Sequence, residues 1–374
     1  MKKLFLILVI FVVAVSCIKE SDDGDISPQP TKTYYKGMDL SFLPELETLG
    51  TQFKNENNTV IANNYTYLAS KGVNLVRLRL WVNHPNQAYN LTKLKAQARL
   101  VKAAGMDFLL DFHYSDTWAD PGNQQTPTIW SGLNANELAA AVALYTDNVL
   151  RELNANQIPP QIIQIGNETN NGFLWPVGQI FNTTGTNWDN YANITKAAIN
   201  AARSVTPSAK IMIHYAGVEY AGSFYQELIS RGVSFDIAGL SYYPWWHGSS
   251  LTTMESQLNT LTGTITQDLM LVETAYPFTL GFNDNTNNVI GLQSQVAPSY
   301  PANVAGQRDF LRDLNTIIKN IPDERGIGFC YWAPDWVAHT PSQTSFTQGS
   351  SWENLALFDF NNKVNPAIVV YGND

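Results

Sequence analysis

Charge and cysteine are both scarce in this chain of 374 residues. Asp, Glu, Lys and Arg make up 15% of it, against an ordinary share of about a quarter. Basic residues are the rarer kind: 23 Lys and Arg face 32 Asp and Glu, a formal net charge of −9. A nucleic-acid binder needs a basic face, so this balance argues against nucleic acid as a partner. Cysteine occurs only at Cys17 and Cys330, too few for a disulfide framework. Cys330 lies in the apolar run GIGFCYW, as a buried and inert thiol would. No apolar run reaches the roughly 20 residues of a membrane-spanning helix. Closely spaced histidines of the HxxxH type are missing, as is a glycine-rich phosphate loop after the first strand-like run. The usual marks of a metal hydrolase and of a nucleotide-binding sheet are thus absent.

Aromatic residues are plentiful at 12%. An aromatic-rich, weakly charged chain suits a neutral polar ligand with flat apolar faces, of which carbohydrate is one. The N-terminus reads MKKLFLILVIFVVAVSC: two lysines, an unbroken apolar run from Leu4 to Val15, then small residues. That pattern is expected of a secretory signal over residues 1–16. Ala14-Val15-Ser16-Cys17 resembles a bacterial lipoprotein box, which would make Cys17 the lipidated first residue of the mature chain. An ordinary cleaved signal with an idle Cys17 is the alternative. Residues 17–32 are polar, with Glu20, Asp22, Asp23 and Asp25, and read as a flexible acidic tether. Acids placed so soon after the cysteine resemble a lipoprotein surface-export signal, although a solvated linker looks similar. The expectation is an exported protein, held at the outer membrane, at the cell surface, by its lipid alone.

From residue 33 to 374, short apolar runs alternate with helical patterns. Eight runs are strand-like, beginning at Lys36, Leu75, Asp107, Gln161, Ala209, Phe235, Leu269 and Gly326. Each starts with continuous apolar residues, as strands buried on both faces do. Glycines at Gly72, Gly105 and Gly232 close helical segments just ahead of the next strand. Eight strand-then-helix units predict a single (β/α)₈ barrel, an α/β fold with elaborated strand-end loops.

In such a barrel the site forms at the C-terminal ends of the strands. There the runs turn polar and aromatic together, supplying Asp39, Arg79 with Trp81, Asp111 with His113, Asn167 with Glu168, His214, Tyr242 with Tyr243, Glu273 and Trp332. Two carboxylates, Glu168 after the fourth strand and Glu273 on the seventh, form the pair that glycoside cleavage needs. A surface salt bridge explains one such glutamate, but the joint placement is harder to explain that way. Arg79 is a candidate charge partner for Glu273, and Asn167 a candidate donor to a sugar hydroxyl. His113, His214 and His247 fit hydrogen bonding to hydroxyls or carboxylates better than metal ligation. Trp118, Trp245, Trp246, Trp332 and Trp336 fall in strand-end loops, where stacking on a pyranose and rim packing compete as explanations.

The longer motifs GMDLSFLPELE, VRLRLWVN, DFHYSDTWADPGNQ, IQIGNETNNGFLWP, GLSYYPWWHG, VETAYPF and YWAPDW resemble glycoside hydrolase family 53, the endo-β-1,4-galactanases of clan A. The resemblance implies retaining cleavage of β-1,4-galactan, such as galactan or arabinogalactan side chains of pectin, with Glu168 as general acid/base and Glu273 as nucleophile. It also implies substrate contacts from Asp39, Arg79, His113, Trp118, Asn167, Tyr242 and Trp332, and no cofactor for catalysis. A monomer is expected. The chain departs from the family at YWAPDW, where YWEPAW is common, so the contacts near Ala333 and Asp335 stand open. The loop PFTLGFNDNTNNVIG is shorter than the calcium-binding loop of some bacterial members. Asp284, Asn285 and Asn287 are candidate ligands for a structural calcium ion, though turn geometry explains them equally. Two rival functions remain: a related clan A enzyme acting on mannan, xylan or glucan, and a non-catalytic surface glycan-binding lipoprotein. The latter would be expected to have lost Glu168, Glu273 or Asn167, and all three are present.

Overall fold

The eight apolar runs are eight strands: β1 (Tyr35–Asp39), β2 (Leu75–Leu80), β3 (Asp107–Phe112), β4 (Ile162–Ile165), β5 (Lys210–Ala216), β6 (Ile237–Tyr242), β7 (Asp268–Thr274) and β8 (Gly326–Trp332). They pair in parallel around a closed ring, β1 meeting both β2 and β8. The architecture is the expected (β/α)₈ barrel. This computed structural model describes residues 32–183, 185–340 and 348–372. The expected signal, Cys17 and the tether lie outside the described residues. No helix among the described residues is long and apolar enough to cross a membrane.

Local chemistry starts and stops the helices. The 21-residue helix Ala135–Ala155 begins at Asn134, whose side chain caps Glu137 N while the Glu137 carboxylate returns to Asn134 N. That reciprocal box satisfies backbone donors left over at a helix start. Asn90 and Asn303 cap the helices Leu91–Ala103 and Val304–Lys319 with their side chains too. Gly72 ends the helix Asn64–Ser70 at φ 98°, and a Cβ there would fall 1.9 Å from Tyr371 O. Only glycine accepts both the left-handed turn and that approach of the C-terminal segment.

Two apolar clusters arise from the ring. One fills the space between sheet and helices. The other plugs the barrel itself with Leu75, Leu109, Ile162, Met212, Ile237, Met270, Val272, Ile327 and Cys330. Burying side chains of this size contributes roughly 1.5–3 kcal/mol each. Cys330 is fully buried and burial pushes its thiol well up, so it serves as packing. Nearer the C-terminal mouth the interior changes character, and Asp39, Arg77, Asp111, Gln164, His214, Ser241 and Glu273 bond to one another.

One irregularity bears on the site. Leu240 pairs with Leu271, but the next residue, Ser241, pairs with Glu273. The β8 side shows the same skip, from Phe329 with Leu271 to Tyr331 with Thr274. β7 therefore carries one extra residue at Val272, a bulge that re-aims the next side chain along the strand. That side chain is Glu273.

Candidate active site

A cleft of about 510 Å³ opens at the C-terminal mouth of the barrel. Glu168 and Glu273 both line it, with Asp39, Arg79, His113, Trp118, Asn167 and Trp332. The turn that presents Glu168 is unusual. Gly166 has φ 78° and Glu168 itself φ 47°. A non-glycine residue in the left-handed region costs about 1–2 kcal/mol, and such conformations gather at functional sites. The turn is held from β5, whose His214 carbonyl accepts from Thr169 N at 2.9 Å and from Thr169 Oγ1 at 3.2 Å.

Arg77 organises the floor. Its side chain is 1% exposed and pairs with Asp39 at 2.9 Å, Asp111 at 2.9 Å and Glu273 at 2.8 Å. It also reaches Asn167 Oδ1 at 2.7 Å and Gln164 Oε1 at 3.2 Å. One planar cation thus holds five partners in fixed directions, which a lysine would not do. Burial alone would raise the Asp111 carboxyl, but Arg77 and His113 bring it below the usual carboxylate range.

The two glutamates stand in different surroundings. Burial, then the nearby Glu273 carboxylate, raises Glu168 to about 8, against smaller opposing effects of Ser241 and Arg77. Burial also raises Glu273, and Asp111 and Asp39 add to this. Glu273 alone has the direct Arg77 ion pair and the Tyr243 hydroxyl, at 3.0 Å, to favour its charged form. Of two adjacent acids, the one carrying the cation ionises first, and the other keeps the proton. That division of labour between two carboxyls is the one acid-assisted glycoside cleavage requires.

Several expectations need correction. Arg79 is not the charge partner of Glu273; Arg77, one inward position earlier on β2, is. Arg79 sits instead among rings, its guanidinium carbon 4.2 Å from the centre of Phe42, 4.5 Å from Tyr89 and 4.3 Å from Trp118. Tyr242 does not line the cleft. It is 1% exposed and its hydroxyl donates to Gly248 O, whereas its neighbour Tyr243 lines the cleft and reaches Glu273. His214 lies beneath the floor and bonds Ser241, Asn167 and Gln164. Asn167 Oδ1 accepts from Arg77 and Gln164, and one hydrogen of its Nδ2 goes to Ala119 O at 2.8 Å.

Among the tryptophans, Trp118, Trp246, Trp332 and Trp336 line the cleft and Trp245 does not. Trp352, which sequence reasoning missed, joins them and packs edge-on to Trp332 at 4.6 Å. Ala333 and Asp335 are both buried away from the cleft, and burial pushes the Asp335 carboxyl well up. The calcium expectation is not supported. Asp284 spends Oδ1 on Thr286 N and Oδ2 on Ser350 N. The described residues contain no group of three His, Cys, Asp or Glu side chains fit for a metal.

A closed parallel barrel with an unlike pair of buried glutamates at its mouth defines a barrel glycoside hydrolase. Residues 35–371 match the family model of glycosyl hydrolase family 53, and the chain belongs to that family. It is similar to an arabinogalactan endo-beta-1,4-galactanase of Cellvibrio japonicus (strain Ueda107), 34% identical over 377 residues, 98% of this chain and 97% of that one. An endo-beta-1,4-galactanase of Bacillus subtilis (strain 168) is 30% identical, covering 91% of this chain and 86% of its own. Among solved structures, the family 53 catalytic domain of Ignisphaera aggregans superposes with a TM-score of 0.85 at 35% identity, over 92% of this chain and 97% of that one.

Proposed function

We propose that this protein is a retaining endo-β-1,4-galactanase acting on galactan or arabinogalactan. The relatives named for that activity support the substrate. One observation carries the mechanism: only one of the two cleft glutamates bears a cation, so the pair shares its protons unequally. Glu168, protonated, donates to the glycosidic oxygen as the bond to the anomeric carbon breaks. Glu273, held anionic by Arg77 and Tyr243, attacks that carbon from the other face and forms a covalent glycosyl ester. Glu168, now a base, takes a proton from water, whose oxygen displaces Glu273 and restores both groups. No cofactor enters this sequence. Trp118 and Trp332 offer faces for pyranose stacking, and Asp39, His113 and Asn167 polar contacts.

Proton NMR of products from galactan tests the proposal. Early β-anomers and mixed oligosaccharides support it, whereas early α-anomers overturn retention. Glu168→Gln and Glu273→Gln should each abolish cleavage of galactan with the fold intact. Faster initial rates on mannan, xylan or glucan than on galactan would move the substrate assignment elsewhere. For the N-terminus we propose lipidation at Cys17 and display at the outer cell surface, supported by the sequence pattern there. Labelled palmitate incorporated into the wild type but not Cys17→Ala tests the anchor, and protease added to intact cells tests its orientation. A monomeric state is proposed likewise, to be read by light scattering.

A further inference from the structure

Ser241 touches Glu168 and nothing in the mechanism above uses it. Its hydroxyl donates to Glu168 Oε1 at 2.5 Å, and its oxygen lies 2.9 Å from His214 Nε2. Ser241 sits on β6 and His214 on β5, and both are fully buried. His214 is buried against Arg77, which keeps its ring neutral, so it carries a single N–H. Three groups meet at its Nδ1: Gln164 Nε2 at 3.2 Å and the backbone N–H of Glu168 at 3.3 Å bring hydrogens, and Asn167 Oδ1 at 2.9 Å offers an acceptor. The serine donates to the carboxylate, the strongest acceptor within its reach once Glu168 has given up its proton.

We propose that Ser241 is a positioning residue for Glu168, its hydroxyl holding Oε1 of the carboxylate that remains after proton donation. The same bond favours the carboxylate that remains after proton donation, which makes Glu168 a stronger acid than burial alone would allow. The inference rests on Glu168 being the acid/base. Other charged or titratable groups around the pair are Glu273 on β7, Arg77 on β2, Asp120 in the loop after β3 and Tyr243 after β6, with Asp111, His113 and His247 around the ring. Ser241→Ala alters none of them.

The test is the pH profile of kcat/KM on galactan for the wild type, Ser241→Ala, Ser241→Thr and Glu168→Gln. Loss of a hydrogen bond to a charged group raises the acid's pKa, so the alkaline limb of Ser241→Ala should move up by about one pH unit. Turnover below that limb should fall on galactan but not on an aryl galactobioside whose leaving group needs no proton. Ser241→Thr, which keeps the hydroxyl, should restore the wild-type limb. An unmoved limb in Ser241→Ala, or equal losses on both substrates, overturns the inference. Galactan cleavage by Glu168→Gln would instead overturn the acid/base assignment, so the two failures are distinguishable.

Discussion

Replacing Arg77 with Met keeps most of the side-chain volume and removes the only cation that Asp39, Asp111 and Glu273 are all paired with among the described residues. The side chains of those three carboxylates are 1%, 0% and 6% exposed, so water compensates none of them. Taking one partner from a buried ion pair costs about 3–5 kcal/mol. For a chain of this length that lowers the melting temperature by roughly 4–6 °C at neutral pH. The loss should depend on pH, with a sign set by the carboxyls. In the wild type, the Asp111 carboxyl is lowered in the fold, so its contribution is present above its unfolded pKa and fades as pH falls through the folded one. In Arg77→Met, burial acts on Asp111 and Glu273 against only the weaker help of His113 and Tyr243 and raises both, so protonation favours the fold. The deficit should be large at pH 7 and small near pH 4. Differential scanning calorimetry at the two pH values reads it. Equal deficits at both, or one at pH 7 no larger than the roughly 1 kcal/mol of a surface pair, would refute this account of Arg77.

The wild-type rate on galactan should fall as pH rises through the Glu168 value of about 8, because a deprotonated acid has nothing to donate; a plateau extending past pH 10 would contradict it. Glu168→Gln, though inactive, should melt higher than the wild type near pH 7, since the fold raises this carboxyl and pays for it above the unfolded pKa; calorimetry should show the gain vanish near pH 4. Tyr243→Phe should lower kcat about ten-fold by removing a hydrogen bond to the charged nucleophile. Tyr242→Phe should leave kcat unchanged and cost only about 1 kcal/mol in urea unfolding. Trp332→Ala should raise KM for galactan roughly ten-fold through lost ring contact, measured by reducing-sugar release.

All eight strands were legible because both faces of each are buried, and a continuous apolar run carries that signal. The glutamate pair was legible as well, since each glutamate ends such a run. The misses turn on which way a side chain faces. In LVRLRLWV both arginines face inward; the expectation chose Arg79, nearer the strand end, while the carboxylates converge one layer lower on Arg77. A charge in mid-strand was the available signal. In GLSYYP the inward positions are Gly239, Ser241 and Tyr243, so counting by twos from either small residue would have chosen Tyr243 over Tyr242. The bulge at Val272 left no mark in the sequence, because it arises from register with both neighbouring strands. Trp352 comes from a long loop with no strand to place it.

The left-handed backbone at Glu168 sets a trap for engineering. By conformational preference alone, position 168 asks for Gly or Asn, the residues that tolerate φ near 47° at least cost. A stabilisation campaign scored only on melting temperature would find those substitutions early and rank them highly, since they relieve both the backbone strain and a buried, ill-solvated carboxyl. Each would yield a sturdier barrel with an empty post where its acid stood. Any thermostability screen on this scaffold therefore has to be run with turnover as a second axis, and position 168 held fixed.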